Sequence, residues 1–101
     1  MVSFEEKVLQ KCSLIPKGKV TTYKELAKSI SSPNSSRAVG NALNKNLVPI
    51  KIPCHRVIQS NGNVGGYAFG VKRKIALLKS EGIEILQNKV VNFGKVLFSF
   101  K

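Results

Sequence analysis

Two four-residue boxes, Ser3-Phe4-Glu5-Glu6 and Thr22-Tyr23-Lys24-Glu25, place a hydroxyl three positions ahead of a glutamate. That spacing lets the hydroxyl accept a hydrogen bond from an orphan amide of the first turn, so each box marks a helix start. After the first box Phe4, Val8, Leu9 and Cys12 fall on one face, which predicts a helix over about 4–13. The second box opens a short helix to about Ile30. Ser31-Ser32-Pro33-Asn34 breaks that pattern and can cap a third helix over about 36–44. Helix, four-residue turn, helix is the layout of a DNA-reading helix-turn-helix.

The third helix sorts by face. Ala38, Val39, Ala42 and Leu43 are apolar and are expected to pack inward, while Arg37, Gly40, Asn41 and Asn44 lie opposite. The outer face is small, polar and free of acids, so its backbone can approach a groove closely. The same pattern also suits an ordinary solvated face. Charge favours a polyanion as the partner: 17 basic against 5 acidic side chains give +12 on 101 residues. A chain of this length is expected to form one domain, 1–101. It has no apolar run of about 18 residues and no apolar signal core after Met1, so an intracellular, cytoplasmic location is expected.

The chemistry-bearing stretch is Pro53-Cys54-His55-Arg56-Val57, where a cysteine sits beside the only histidine of the chain. A thiolate is a soft nucleophile suited to attack on an alkyl carbon. Free cysteine has a pKa of about 8.5, so it needs a base or a positive field to ionise. The stretch follows the apolar run 48–52 and reads as extended. Neighbours on extended chain point to opposite sides, so His55 is expected to act on Cys54 through a water or a bend. Cys12 reads as core packing. One histidine and two cysteines lack metal-finger spacing, and no metal is expected.

Downstream, Asn61-Gly62-Asn63 and Gly65-Gly66 make 60–71 a flexible loop in the place of a wing. A helix over 72–80 is expected to bury Ile75, Ala76 and Leu78 and to stop at Gly82. The tail reads as a terminal hairpin. The fold class is therefore α/β: a single small, mostly helical domain with a winged-helix-like helix-turn-helix unit and a C-terminal hairpin.

Several of these stretches resemble one family. Ile15 to Tyr23, Arg37-Ala38-Val39-Gly40, Asn46, Pro49-Ile50, the Pro-Cys-His-Arg-Val block, Gly66-Tyr67, Lys74, Leu77-Leu78 and Glu81-Gly82 are similar, in order and spacing, to the O6-alkylguanine-DNA alkyltransferase domain. The resemblance covers about 3–83. It implies transfer of an alkyl group from O6 of guanine, less readily O4 of thymine, in double-stranded DNA to Cys54. The reaction is single-turnover, needs no cofactor, and is carried out by a monomer.

The resemblance also assigns roles. Glu81 orients His55, which draws the Cys54 proton through water, and Asn46 links the recognition helix to the active-site strand. Arg37 fills the space of a base swung out of the stack, Tyr23 meets the 3′ phosphate and the guanine, and Thr22, Ala38, Gly40 and Asn41 complete the DNA face. Pro49, Val57, Tyr67 and Ala68 form the lesion pocket. The chain departs from the pattern at Ala68-Phe69, where many members have serine and glycine, and at Lys51 in a strand that is usually apolar. The separate N-terminal domain of many members, and with it any zinc site, is not expected. Two rivals stand beside this reading. One is a lesion-binding protein of the alkyltransferase-like type, which usually has tryptophan in place of Cys54. The other is a helix-turn-helix transcription regulator.

Overall fold

The computed structural model describes residues 3–32, 34–45, 52–67, 69–98 and 100. Helix α1 spans Phe4–Cys12, and its Ser3 hydroxyl accepts from the Glu6 amide at 3.1 Å. Val8 and Cys12 are buried, with Phe4 and Leu9 packed against the same core. Strand β1, Thr21–Thr22, runs directly into α2, Tyr23–Ser29. Here the Thr22 hydroxyl accepts from the Glu25 amide at 3.0 Å, so the second box also caps its helix. Helix α3 spans Ser36–Leu43 and packs on both α1 and α2. Its N-cap, Ser35, makes no side-chain cap bond, so capping by the 31–35 stretch is not realised through that hydroxyl.

One residue of α3 departs from expectation. Val39, Ala42 and Leu43 are buried, but Ala38 is exposed. The buried stripe follows three- and four-residue steps, and Ala38 precedes Val39 by one residue, about 100° around the helix. Ala38 therefore shares the outer face with Arg37 and Asn41.

A single turn of 3₁₀ helix, Cys54–Arg56, leads into β2, Val57–Ile58. Strands β1 and β2 pair in parallel, Thr21 with Val57 and Thr22 with Ile58, which sets the start of α2 beside the Cys54 turn. On the other side of β1 the tail returns: the Val20 amide donates to Val96 O at 2.8 Å and the Phe98 amide to Val20 O at 2.6 Å.

Helix α4 spans Val71–Ser80. It buries Lys74 and Leu78 and half-buries Ile75, whereas Ala76 is exposed rather than inward. Lys74 and Leu78 are one turn apart and define the inner face, and Ala76 lies midway between them on the far side. The helix ends in a Schellman motif. Gly82, at φ +90°, donates to Lys79 O, and Ile83 donates to Leu78 O.

The tail hairpin is shorter than expected: β3, Ile85–Leu86, pairs antiparallel with β4, Lys89–Val90. Gln87 and Asn88, at φ +51° and +63°, make its two-residue turn. Beyond it comes a short helix α5, Phe93–Val96, where continued strand was expected. The 60–71 loop is held to this hairpin, with the Val90 amide donating to Gly62 O and the Val64 amide to Asn88 O. Val64 is buried with Val20, Ile58, Leu78, Ile83 and Val90 in a second core, so this part of the loop packs rather than standing free. Among the described residues no helix is long and apolar enough to cross a membrane.

Candidate active site

The nucleophile candidate is set by a bend. Pro53 sits at φ −81° and ψ 64°, and its carbonyl accepts from the Arg56 amide at 2.9 Å. In a 3₁₀ turn successive side chains are about 120° apart. Cys54, His55 and Arg56 therefore fan out instead of alternating across an extended strand. Cys54 is buried, 5 % exposed, and packs in the same core cluster as Val39, Leu43 and Cys12.

Behind the turn lies a three-way polar contact. His55 is fully buried, and its Nε2 lies 3.0 Å from Glu81 Oε2. Arg56 grips the same carboxylate with both ends of its fork, Nε to Oε1 at 2.8 Å and Nη2 to Oε2 at 2.6 Å. Its Nη1 donates to Ile15 O at 2.7 Å. Burial alone pushes the Glu81 carboxyl up, but the hydrogen bonds and charges of Arg56 and His55 outweigh it and hold it below its ordinary value. Burial pushes the His55 imidazole down, against the pull of Glu81, with Arg56 and Lys74 adding to the fall. A neutral imidazole facing an anionic carboxylate carries its proton on Nε2. Nδ1 then offers a lone pair, and it is buried with no hydrogen-bond partner among the described residues.

In front of Cys54 is a cleft of about 180 Å³ lined by Tyr23, Gly40, Asn44, Gly66 and Tyr67. It narrows to about 10 Å³ where Cys54 and Leu43 join the lining, room for about one water. The Tyr23 ring leans over Gly40, and its hydroxyl reaches toward Gly65. The Tyr67 hydroxyl is buried, and burial together with its interaction with Cys54 pushes it up to about 12. Tyr67 also meets Phe69 edge to face, at 5.3 Å between ring centroids. Larger surface clefts occur, one of about 490 Å³ beside Lys7, Leu14 and Ile30, but neither a cysteine nor a histidine lines it. Among the described residues no three His, Cys, Asp or Glu side chains gather to hold a metal ion.

The sequence of residues 3–83 matches the model of the 6-O-methylguanine DNA methyltransferase, DNA binding domain. The chain belongs to this family. It is 52% identical over 82 residues to a methylated-DNA--protein-cysteine methyltransferase of Saccharolobus islandicus, a match covering 81% of this chain and 52% of that protein. The chain thus spans about half the length of the curated relatives it matches. Among solved structures it resembles Mycobacterium tuberculosis OGT in complex with DNA, with TM-score 0.77 and 41% identity over 80% of this chain and 50% of that one. It also resembles S. pombe Atl1 in complex with damaged DNA containing O6-carboxymethylguanine, with TM-score 0.84 and 32% identity over 95% and 94% of the two chains. The small mixed helical fold is that of this family.

Of the expected site residues, Cys54, His55 and Glu81 come together on one turn and one helix end, and Tyr23, Gly40 and Tyr67 line the cleft. Val57 contributes its carbonyl, which accepts from Lys74, while its side chain is in the core. Arg37, Ala38 and Asn41 are exposed on α3, whereas Thr22 is buried and caps α2. Asn46, Pro49 and Ala68, like Lys51 and most of the apolar run before Cys54, lie outside the described residues.

Two functional side chains escaped sequence reasoning. Arg56 was read only as part of a motif, although an arginine beside a paired histidine in a chain with five acids is a signal that it competes for one of them. Lys74 was read only as a matching position. It is fully buried, and its Nζ donates to Val57 O at 2.7 Å and Gly66 O at 3.0 Å. Its spacing to Leu78 on the inward stripe of α4 was the available signal.

Proposed function

We propose that the protein repairs double-stranded DNA by moving an alkyl group from O6 of guanine, less efficiently from O4 of thymine, onto Cys54. The observation that carries this reading is a buried cysteine at the foot of the Tyr23–Tyr67 cleft, with the His55–Glu81 pair behind it and the α2–α3 unit beside it. An alkylated base in a duplex is out of reach of any side chain and must be turned out of the stack. Arg37, exposed near the start of α3, occupies the vacated space, while Ala38, Gly40 and Asn41 let the helix approach the groove. Thr22 anchors the start of α2, and Asn46, Pro49 and Ala68 complete the link and the pocket.

Glu81 fixes the Nε2–H of His55, and Nδ1 takes the Cys54 proton through one water. The thiolate attacks the alkyl carbon, forming a C–S bond as the C–O bond breaks. The electron pair leaves with the guanine, which is reprotonated by the Tyr23 hydroxyl or water. Among the described residues no group is placed to cleave the thioether, so each molecule acts once, as a monomer and without cofactor, where DNA is found in the cytoplasm or nucleus.

Incubating the protein with excess O6-methylguanine duplex is expected to add the mass of one methyl group at Cys54 and then stop. Cys54→Ala is expected to bind the same duplex and gain nothing. Turnover beyond one equivalent contradicts the reading. Tight lesion binding with no mass gain favours a lesion-binding protein instead, a second reading supported by the near-complete overlap with Atl1.

A further inference from the structure

The Glu81 carboxylate serves two partners at once. Oε2 receives both His55 Nε2 and Arg56 Nη2, while Oε1 receives Arg56 Nε. A two-pronged guanidinium contact fixes a carboxylate in orientation as well as position. The Arg56 and Glu81 side chains are only 12% and 7% exposed, so solvent screens their charges little. A carboxylate facing an imidazole alone favours the charged imidazolium. An imidazolium has no lone pair and cannot accept a thiol proton. Sharing the carboxylate with a permanent cation counters this. Lys74 on α4 also disfavours the imidazolium, and the other titratable neighbour is Cys54, the preceding residue.

We propose that Arg56 is a positioning residue whose charge keeps His55 neutral and whose fork holds Glu81, so that the Nδ1 lone pair stays aimed and available. The inference deepens the reading above, because the relay it tunes is the one serving Cys54. It also has a readout that needs no DNA. His55 is the only histidine of the chain, so its imidazole proton resonance can be followed by NMR as a single titrating signal.

In Arg56→Gln the His55 titration midpoint is expected to rise by on the order of one pH unit. The acidic limb of single-turnover methyl uptake should move upward with it. Arg56→Lys keeps the charge and loses the fork, so its midpoint should stay near that of the parent while its uptake rate falls several-fold. An unchanged midpoint in Arg56→Gln, with only a drop in melting temperature, overturns the proposal and leaves Arg56 as a brace between Glu81 and Ile15. A parental uptake rate in Arg56→Lys overturns it equally, and that variant decides the matter if Arg56→Gln fails to fold. Should the parent take up no methyl group at all, the proposed activity fails, and the titration arm still judges Arg56.

Discussion

Lys74 offers a prediction whose size follows from the geometry. Its ammonium is fully buried, makes no salt bridge among the described residues, and is bonded to two carbonyls, Val57 O and Gly66 O. The Tyr23 ring lies under it, 5.8 Å from Nζ to centroid. Burial drives its pKa from 10.5 to about 8, against a smaller opposing pull from Cys54. That drop makes the charged form roughly 3 kcal/mol less favoured in the fold than in water. Lys74→Met keeps an unbranched chain of similar bulk, relieves that cost, and leaves two carbonyls without donors at about 2 kcal/mol each. At neutral pH the variant should therefore be only about 1 kcal/mol less stable.

The pH dependence separates these effects. The folded pKa lies below the unfolded one, so between about pH 8 and 10.5 the unfolded chain holds the proton that the native chain has released. Parental stability from this group then rises with pH by about 1.4 kcal/mol per unit, and the variant has no such gain. The gap should widen from about 1 to about 3.5 kcal/mol between pH 7 and 10. Urea midpoints followed by circular dichroism at several pH values measure it, and every other lysine is common to both chains and cancels. A gap that stays flat across that range would refute the argument, because it would mean that the amine keeps its ordinary pKa in the fold, as it does when it reaches solvent.

Gly40 lies in a helix with ordinary backbone angles, and a Cβ there would meet Tyr23 Cε1 at 3.8 Å, an ordinary contact. Gly40→Ala should raise stability by about 0.5–1 kcal/mol in thermal unfolding, whereas Gly40→Leu should push the Tyr23 ring aside and cut single-turnover methyl uptake by more than tenfold. Arg37 is exposed, so Arg37→Ala should change stability by less than about 0.5 kcal/mol. Uptake from duplex DNA should fall by at least an order of magnitude, and uptake from a free O6-alkylguanine base should stay near parental. Equal losses on both substrates would remove Arg37 from base extrusion.

What could be read from the chain was local. The Ser3 and Thr22 boxes cap their helices because a cap involves only residues three apart. Val39, Ala42 and Leu43 were legible as a buried stripe because large apolar surface must leave water. Ala38 and Ala76 were misplaced because a lone methyl gains little from burial and reports weakly on which face it occupies. The bend at Cys54 was open to sequence reasoning only as one option, since it is held by contacts from Arg56 to Ile15 and Glu81, 41 and 25 positions away. The meeting of His55 with Glu81 rested on family resemblance, and Lys74 was invisible to rules that keep lysine on surfaces. In the tail, the expected hairpin forms over 85–90, but Asn92 at φ +59° then turns the chain into α5, which that reading did not include.

The pairing of Val20 with the returning tail has a consequence for how the molecule comes into being. Its hydrogen bonds to Val96 and Phe98, and that of the Thr21 hydroxyl to Phe98 O, tie together positions up to 78 residues apart. A polypeptide leaving the ribosome amino end first presents α2, α3 and Cys54 well before the stretch that buttresses β1 has been synthesised. Closure of so long a loop is slow relative to helix formation. The pairing beside β1 should therefore close in one late step, when the 96–98 stretch docks, and not accrue gradually as the chain grows.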